Sequence, residues 1–317
     1  MTTSITGAVV PQVVSAGHVP SGPEYEIEHG AYRAVVQAVG ATLRVLTFDG
    51  RDLVVPFPAN VVRPLYRGAL VAPWPNRVAD GRYRFGGELH QAPINEVERQ
   101  NALHGLALWV AWDVVSVDPA AVTLRHSIPP QPGYPFPVEL TVTYRLTGDG
   151  LVTELRARNL GDRPAPYGCC PHPYLVAGAG TVDGWTLELP AATRLEVDAD
   201  RLLPVGRASV GEVNCDFRGG AVIGDRFIDH AFTDLTPTAG RTAVRLTAPD
   251  SSGVQLSWGD WAPWVQIHTA DRPDPADHRV GLAVEPMNCP PDAFNSADVP
   301  VLAAGAEHVA EWTITAL

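Results

Sequence analysis

Short runs in which apolar and polar residues alternate recur along the chain, and they constrain its fold more than any other feature. The clearest run is Val138–Leu146, where alternation places apolar side chains on one face and polar ones on the other. Turn sequences such as Thr147–Gly150 and Asp250–Gly253 separate such runs. No window of a dozen residues carries a helical stripe. The sequence therefore predicts an all-β fold, a large antiparallel β-sandwich of two sheets packed face to face.

The runs predicted to be strands are Tyr25–Glu28, Tyr32–Ala38, Thr42–Phe48, Leu108–Val117, Ala121–Ile128, Val138–Leu146, Leu151–Arg158, Trp185–Leu189, Thr193–Val197, Thr242–Ala248, Val254–Trp258, Trp264–His268, Leu282–Glu285 and His308–Thr315. The 29 Gly and 30 Pro are spread through the sequence rather than gathered in a linker. We therefore expect residues 23–317 to form a single β-sandwich domain, and residues 1–22 to be a poorly ordered N-terminal segment.

Charge and composition exclude several classes of function. All 23 basic residues are Arg, so mechanisms that need a Schiff-base lysine or a phosphate-loop lysine are excluded. The net charge of −12, without a basic run, argues against nucleic acid and anionic membranes as partners. The four cysteines form no C-x-x-C pair, and no signal sequence or membrane span is expected. The sequence predicts a cytoplasmic protein, and Trp74, Trp109, Trp112 and Trp264 are expected in the core.

Five short polar islands interrupt the strand-like runs, and they hold the candidate site residues. They are Asn76-Arg77, Asn101-x-x-His104-Gly105, His172-Pro-Tyr174, Asp229-His230 and Glu285-Pro286. Loops over a rigid sheet are where binding and catalytic groups usually lie. Glu285 ends the apolar run Val280–Val284, so burial should raise its carboxyl pKa and make it a better base near neutral pH.

These five islands, in this order on an all-β background, resemble the aldose 1-epimerase (galactose mutarotase) family over nearly the whole chain. The resemblance implies a galactose mutarotase-like supersandwich and an isomerase that interconverts the α and β anomers of a free aldose. It implies a small-molecule sugar as partner, with no metal and no cofactor. A monomer or a homodimer is expected.

The resemblance also implies a role for each residue. Glu285 looks like the general base that takes the proton of the anomeric hydroxyl, and His172 looks like the general acid that protonates the ring oxygen. His104 resembles the second histidine, which holds the ring oxygen or a nearby hydroxyl. Asn76, Arg77 and Asp229 resemble the residues that bind the sugar hydroxyls. A His and a Glu in different environments can provide one protonated and one ionised group together.

Departures from the family pattern leave the sugar undecided. Pro171 and Pro173 flank His172, Met287 stands where many members have Gln, and His268 stands where an aromatic residue is expected. One alternative is a hexose-6-phosphate 1-epimerase, with Arg82, Arg84 and Arg99 as candidates for a phosphate site. Another is a non-catalytic carbohydrate-binding β-sandwich. A metal enzyme built on the candidate histidines and carboxylates, and a glycosidase, are weaker alternatives because the sequence lacks an H-x-H cluster and a second strong carboxylate.

Overall fold

The computed structural model describes residues 19–317, and in this range it contains strands, turns and three 3₁₀ turns. The first strands, β1–β13 in chain order, are Glu24–His29, Tyr32–Gln37, Thr42–Phe48, Arg51–Asp52, Leu70–Val71, Arg77–Ala79, Arg82–Phe85, Glu88–Gln91, Asn101–Leu103, Asp113–Asp118, Ala121–Ile128, Val138–Thr147 and Gly150–Asn159. The remaining strands, β14–β27, are Ala165–Pro166, Cys170–Pro171, Tyr174–Leu175, Thr186–Glu188, Ala191–Val197, Pro204–Ser209, Ala221–Val222, Asp229–Leu235, Thr242–Thr247, Gly253–Trp258, Trp264–His268, Leu282–Met287, Val301–Leu302 and Glu307–Ala316. The 3₁₀ turns are Pro64–Tyr66, Val182–Gly184 and Ala293–Asn295.

The largest sheet has nine antiparallel strands in the order β10-β11-β12-β13-β27-β23-β22-β17-β20. Strands β12 and β13 pair over ten residues, from Val138 opposite Asn159 to Thr147 opposite Gly150. Every second side chain of β12, such as Leu140 and Val142, is buried, while its neighbours are at least partly exposed. The alternation in the sequence therefore predicted this sheet correctly, because one face must be apolar to cover the core.

A second antiparallel sheet, in the order β16-β25-β24-β21-β18-β19, packs on the first. Val265, Ile267 and Val284 point from it into the main hydrophobic cluster, where they join Leu246 and Leu256 of the nine-stranded sheet. The predicted all-β sandwich is confirmed. Because side chains alternate along a strand, the other face of the six-stranded sheet is left free to line a cleft.

A four-stranded N-terminal sheet, β1-β2-β3-β4, covers part of the same core. Ile27, Val36 and Leu46 of this sheet belong to the hydrophobic cluster that includes Leu140 and Val142. Four further pairs of short strands lie in the connections between the longer ones: β5 with β15, β6 with β9, β7 with β8 and β14 with β26. The pair β5 with β15 lies next to His172, and the pair β6 with β9 lies next to Asn76 and His104.

The structure corrects one predicted strand. The run Leu108–Val117 was expected to be a strand, but the strand in this region begins at Asp113. Residues 106–112 form turns because their backbone groups bond elsewhere: the Leu108 carbonyl accepts from Arg63, and the Trp112 N–H donates to Ala38. Trp109, expected in the core, is 49 % exposed, and its ring lies 4.3 Å from the guanidinium carbon of Arg63.

Residues 1–18 of the predicted disordered segment lie outside the described residues. Next to them, the Val39 N–H donates to the Ser21 carbonyl at 3.0 Å, and Ser21 is buried. The division at residue 22 stays a prediction. In residues 19–317 no helix has the length and apolar character that crossing a membrane would need.

Candidate active site

A cleft of about 910 Å³ opens on the free face of the six-stranded sheet. All six predicted site residues line it: Asn76, Arg77, His104, His172, Asp229 and Glu285. They come from positions up to 209 residues apart in sequence, from Asn76 to Glu285 (285 minus 76). The structure thus brings the five polar islands together in one place.

Strand register explains why the carboxylates of the cleft are neighbours. Glu285 on β25 pairs with Gln266 on β24, and Asp229 on β21 pairs with His268 on β24. Residues directly opposite each other on adjacent strands point to the same face, and so do residues two apart on one strand. Glu285, Gln266, His268 and Asp229 therefore share the face that lines the cleft, while Ile267 points into the core.

His172 lies in the connection between the short strands β15 and β16, and hydrogen bonds fix its backbone on both sides. Its N–H donates to the Ala69 carbonyl at 3.0 Å, and its carbonyl accepts from the Gly68 N–H at 2.8 Å. Pro171 and Pro173 have no N–H and restrict the backbone around the histidine. The imidazole is thereby directed from a rigid backbone segment into the cleft.

Asn76 and His104 meet because β6 pairs with β9, with Arg77 opposite Leu103. The His104 N–H donates to the Asn76 carbonyl at 2.9 Å. Both residues have positive φ, 53° for Asn76 and 60° for His104. A histidine in this left-handed region costs on the order of 1 kcal/mol, a strain found often at functional sites.

Arg77 is held by Glu96, a residue without a predicted role. Its Nε and one terminal nitrogen donate to the two oxygens of Glu96 at 2.9 and 3.0 Å, and its other terminal nitrogen donates to Asn76 Oδ1 at 3.1 Å. Burial raises the pKa of the Glu96 carboxyl, but the hydrogen bonds from Arg77 and Asn101 and the charges of Arg77 and Arg99 outweigh it, so that the pKa is lowered. Two of the five guanidinium N–H groups stay free for a ligand.

Glu285 and His172 form a buried histidine–carboxylate pair in the cleft. His172 Nε2 lies 3.4 Å from Glu285 Oε1, and Cys170 Sγ lies 3.8 Å from Glu285 Oε2. Glu285 is only 2 % exposed. Burial, and then the charge of Asp229, raises the Glu285 pKa well above 4.5, as the sequence predicted. Burial, and then the charge of His268, lowers the His172 pKa to about 3.

Aromatic rings enclose this pair. The rings of His104 and His172 meet edge to face with centroids 5.1 Å apart, and Tyr174 stacks on His172 at 5.5 Å. Tyr66 packs edge-on against His104 at 4.9 Å. Burial lowers the His104 pKa well below 6.5, and the charge of His172 adds to this effect. Both histidines therefore lie in surroundings that favour the neutral imidazole.

Several other residues that line the cleft have no predicted role: Tyr66, Glu96, Tyr174, Gln266, His268 and Arg272. Gln266 Nε2 donates to Asp229 Oδ1 at 2.8 Å, so it holds a predicted sugar-binding carboxylate. A signal for Gln266 and His268 was present in the sequence, because both alternate with core residues on a predicted strand. Tyr66 and Glu96 are on loops, where no such periodicity exists.

All four cysteines are buried and free. Burial raises the pKa of the Cys169 thiol to about 12 and that of Cys170 well above 9. Within residues 19–317, no three His, Cys, Asp or Glu side chains are grouped so as to hold a metal ion.

The sequence also matches a known protein family and several of its relatives. The family model described as aldose 1-epimerase matches residues 23–315. The uncharacterized protein YihR of Escherichia coli (strain K12) is 36% identical over 91% of this chain and 91% of its own length. Galactose mutarotase of Mus musculus is 27% identical over 92% of this chain and 94% of its own.

Solved structures share the fold. The crystal structure of a GalM/aldose epimerase homologue from C. elegans covers 93% of this chain and 98% of its own, with a TM-score of 0.82 and 24% sequence identity. Galactose 1-epimerase from Lactobacillus acidophilus NCFM covers 96% of this chain and 98% of its own, with a TM-score of 0.79 and 20% identity. At such identities the match concerns the fold alone.

Proposed function

The chain belongs to the aldose 1-epimerase family, and on that premise we propose that it interconverts the α and β anomers of a free aldose. The observation that carries this proposal is the buried pair Glu285 and His172, 3.4 Å apart in a cleft lined by hydrogen-bonding side chains. Anomer exchange needs a proton to leave one oxygen and another to reach a second oxygen. A pair of groups that shares one proton can accept the first of these protons and donate the second.

In the proposed reaction, Glu285 takes the proton of the anomeric hydroxyl while His172 gives a proton to the ring oxygen. The bond between C1 and the ring oxygen breaks, and C1 becomes the carbonyl carbon of the open-chain aldehyde. Rotation about C1–C2 presents the other carbonyl face. Closure then returns one proton to His172 and takes one from Glu285, so the enzyme ends unchanged.

The pKa shifts are consistent with a pair that holds one proton near neutral pH. A raised Glu285 pKa and a lowered His172 pKa favour the proton on the carboxyl when the cleft is empty. The productive arrangement, an ionised Glu285 and a protonated His172, contains the same number of protons. It is reached by transfer within the pair, so the reaction takes up no proton from solvent. General acid and base catalysis contributes about 10²–10⁴-fold for each positioned group, which suffices for a reaction that water alone already supports.

We assign the other residues of the cleft to sugar binding. Arg77 has two free N–H donors, and Asp229 has its Oδ2 available because the hydrogen bond from Gln266 goes to Oδ1. Asn76 and His104 lie beside them, joined through their backbone. A carboxylate that accepts and a guanidinium that donates are the groups that orient hydroxyls of a pyranose.

We propose a free aldose rather than a phosphorylated one. Arg82 and Arg84, the candidates for a phosphate site, are exposed on β7 and do not line the cleft. Arg99 lines the cleft, but it is paired with Glu96 at 3.2 Å. Parallel exchange measurements with glucose and its 6-phosphate test this choice, and a clear preference for the phosphate would reject it. The monomer-or-homodimer state and the cytoplasmic location stay predictions.

Polarimetry on freshly dissolved α-anomers of several hexoses and pentoses tests the activity. The wild type should accelerate relaxation at micromolar concentration, and Glu285→Gln should lower the rate by about 10²–10⁴-fold. Calorimetric titration of the same variant with sugar is the control, because binding should be retained. Equal relaxation with and without wild-type protein would refute the activity. Sugar binding without any catalysis would instead identify a carbohydrate-binding module.

A further inference from the structure

His268 lies between a cation and an anion at one wall of the cleft. Its Nε2 is 3.3 Å from a terminal nitrogen of Arg272, and its Nδ1 is 3.7 Å from Asp229 Oδ1. All three side chains line the cleft. Arg272 comes from the segment between β24 and β25, whereas His268 ends β24 and Asp229 begins β21. Arg272, His268 and Asp229 thus form a row of polar side chains.

The chemistry of arginine determines which imidazole nitrogen carries the proton. A guanidinium has only N–H donors and no acceptor. The contact of 3.3 Å is therefore a hydrogen bond only if His268 Nε2 is unprotonated and accepts. A proton on Nε2 would set two donors against each other. In the neutral ring the single proton is then on Nδ1, the nitrogen that faces the Asp229 carboxylate.

The fully protonated ring is disfavoured by the same surroundings. Burial lowers the His268 pKa, and the positive charge of Arg272 lowers it further, while the carboxylates of Asp229 and Asp271 and the carbonyl of Ile228 act in the opposite direction. The net direction is downward from 6.5. The neutral ring with its proton on Nδ1 is the state that satisfies Arg272 and Asp229 together.

We propose that Arg272 holds His268 in the Nδ1–H tautomer, and that His268, with Gln266, positions Asp229 for the sugar. Gln266 Nε2 donates to Asp229 Oδ1 at 2.8 Å, and His268 Nδ1 approaches the same oxygen. The Gln266 contact is a hydrogen bond, whereas the buried His268 Nδ1, which has no hydrogen-bond partner in residues 19–317, attracts the same oxygen from 3.7 Å. Both groups thus face Oδ1 and leave Oδ2 for a sugar hydroxyl. His268 and Arg272 are thus positioning residues. Their effect on the sugar rests on the function proposed above, whereas the tautomer does not.

Nitrogen-15 NMR of the histidine rings tests the tautomer without any substrate. The His268 signals, assigned by their loss in His268→Asn, should show a protonated Nδ1 and an unprotonated Nε2 at pH 7 to 8. Arg272→Met should abolish this preference, and Arg272→Lys, which keeps a cationic group with donors only, should retain it. A protonated Nε2 in the wild type, or an unchanged tautomer in Arg272→Met, would overturn the proposal even if the protein proves inactive.

Kinetics test the positioning of Asp229. An Asn amide at position 268 places its N–H near the former Nδ1, whereas a Gln amide reaches toward the former Nε2. We expect His268→Gln and Arg272→Met to raise KM by roughly tenfold, the equivalent of one hydrogen bond, with a smaller change in kcat. His268→Asn should stay closer to wild type. Equal losses for Asn and Gln, in variants with unchanged circular dichroism and thermal melting, would show that His268 only fills space.

Discussion

The Glu285–His172 pair should make folding stability depend on pH in a form that can be worked out by counting protons. In the folded protein the pair holds one proton from about pH 3, the His172 pKa, up to the raised pKa of Glu285. The unfolded chain has ordinary values of 4.5 for Glu and 6.5 for His. It holds two protons below pH 4.5, one between the two values and none above 6.5. The count does not depend on which partner carries the proton in the folded state.

Stability rises with pH where the unfolded chain binds more protons than the folded one, and falls where it binds fewer. The lowered His172 pKa therefore contributes stability above pH 6.5, and this is lost as pH falls toward 3. The raised Glu285 pKa contributes stability below pH 4.5, and this is lost as pH rises toward its folded value. Together they give a plateau between 4.5 and 6.5. Outside the plateau the contribution of the pair to the free energy of unfolding falls by about 1.4 kcal/mol per pH unit.

Urea unfolding of the wild type and of the double variant Glu285→Gln/His172→Gln, from pH 3.5 to 8.5, measures this contribution. Buried histidines that do not interact with the pair, such as His308, whose pKa burial lowers, titrate in both proteins and cancel in the difference. The free energy of unfolding of the wild type minus that of the double variant should fall by up to about 3 kcal/mol between pH 6.5 and 8.5, because these values are two pH units apart. A difference that stays constant over that range would show that burial does not hold the proton on the pair, and would refute the reasoning.

Three further predictions follow from contacts described above. Arg77→Met should destabilise the protein by about 3 kcal/mol because it leaves the Glu96 carboxylate without its bidentate partner, and Arg77→Met/Glu96→Gln should restore much of that stability in urea unfolding but not the sugar affinity. Cys169, Cys170 and Cys289 should react with Ellman's reagent only on unfolding, because burial raises all three thiol pKa values; rapid labelling of the native protein would contradict this. Leu140→Ala should cost about 2–5 kcal/mol of unfolding free energy, and Thr141→Ala on the opposite face of the same strand about 1 kcal/mol or less; similar costs would mean that the assigned faces are wrong.

The long strands were predictable because a single face of each must be apolar. β12 was predicted as Val138–Leu146 and spans Val138–Thr147, and the run that ends in Glu285 was found as part of Leu282–Met287. The short strands Arg77–Ala79 and Asn101–Leu103 were missed. Three residues carry too little periodicity to be recognised, and such pairs form only because the rest of the fold brings them together.

The six residues proposed for the site were recognised from the order of their motifs, but their partners were not. Glu96 holds Arg77 across 19 residues of sequence, and Gln266 holds Asp229 across 37. Such contacts depend on strand register and on loop paths, which are set by packing between distant segments. The exposure of Trp109 has the same origin. Its residue type favours burial, but the turn that carries it leaves its ring at the surface against Arg63.

The proposed general base lies inside a sheet, while most of the proposed sugar-binding groups lie on connecting segments or short strands. Glu285 is the fourth of six residues in β25, with hydrogen-bonded strands on both sides. Asn76, Arg77 and His104 belong to a short strand or to turns. If Glu285 is the base, the connecting segments can be exchanged or lengthened without displacing its carboxylate. The proposed chemistry and the choice of sugar would then be able to change independently of each other.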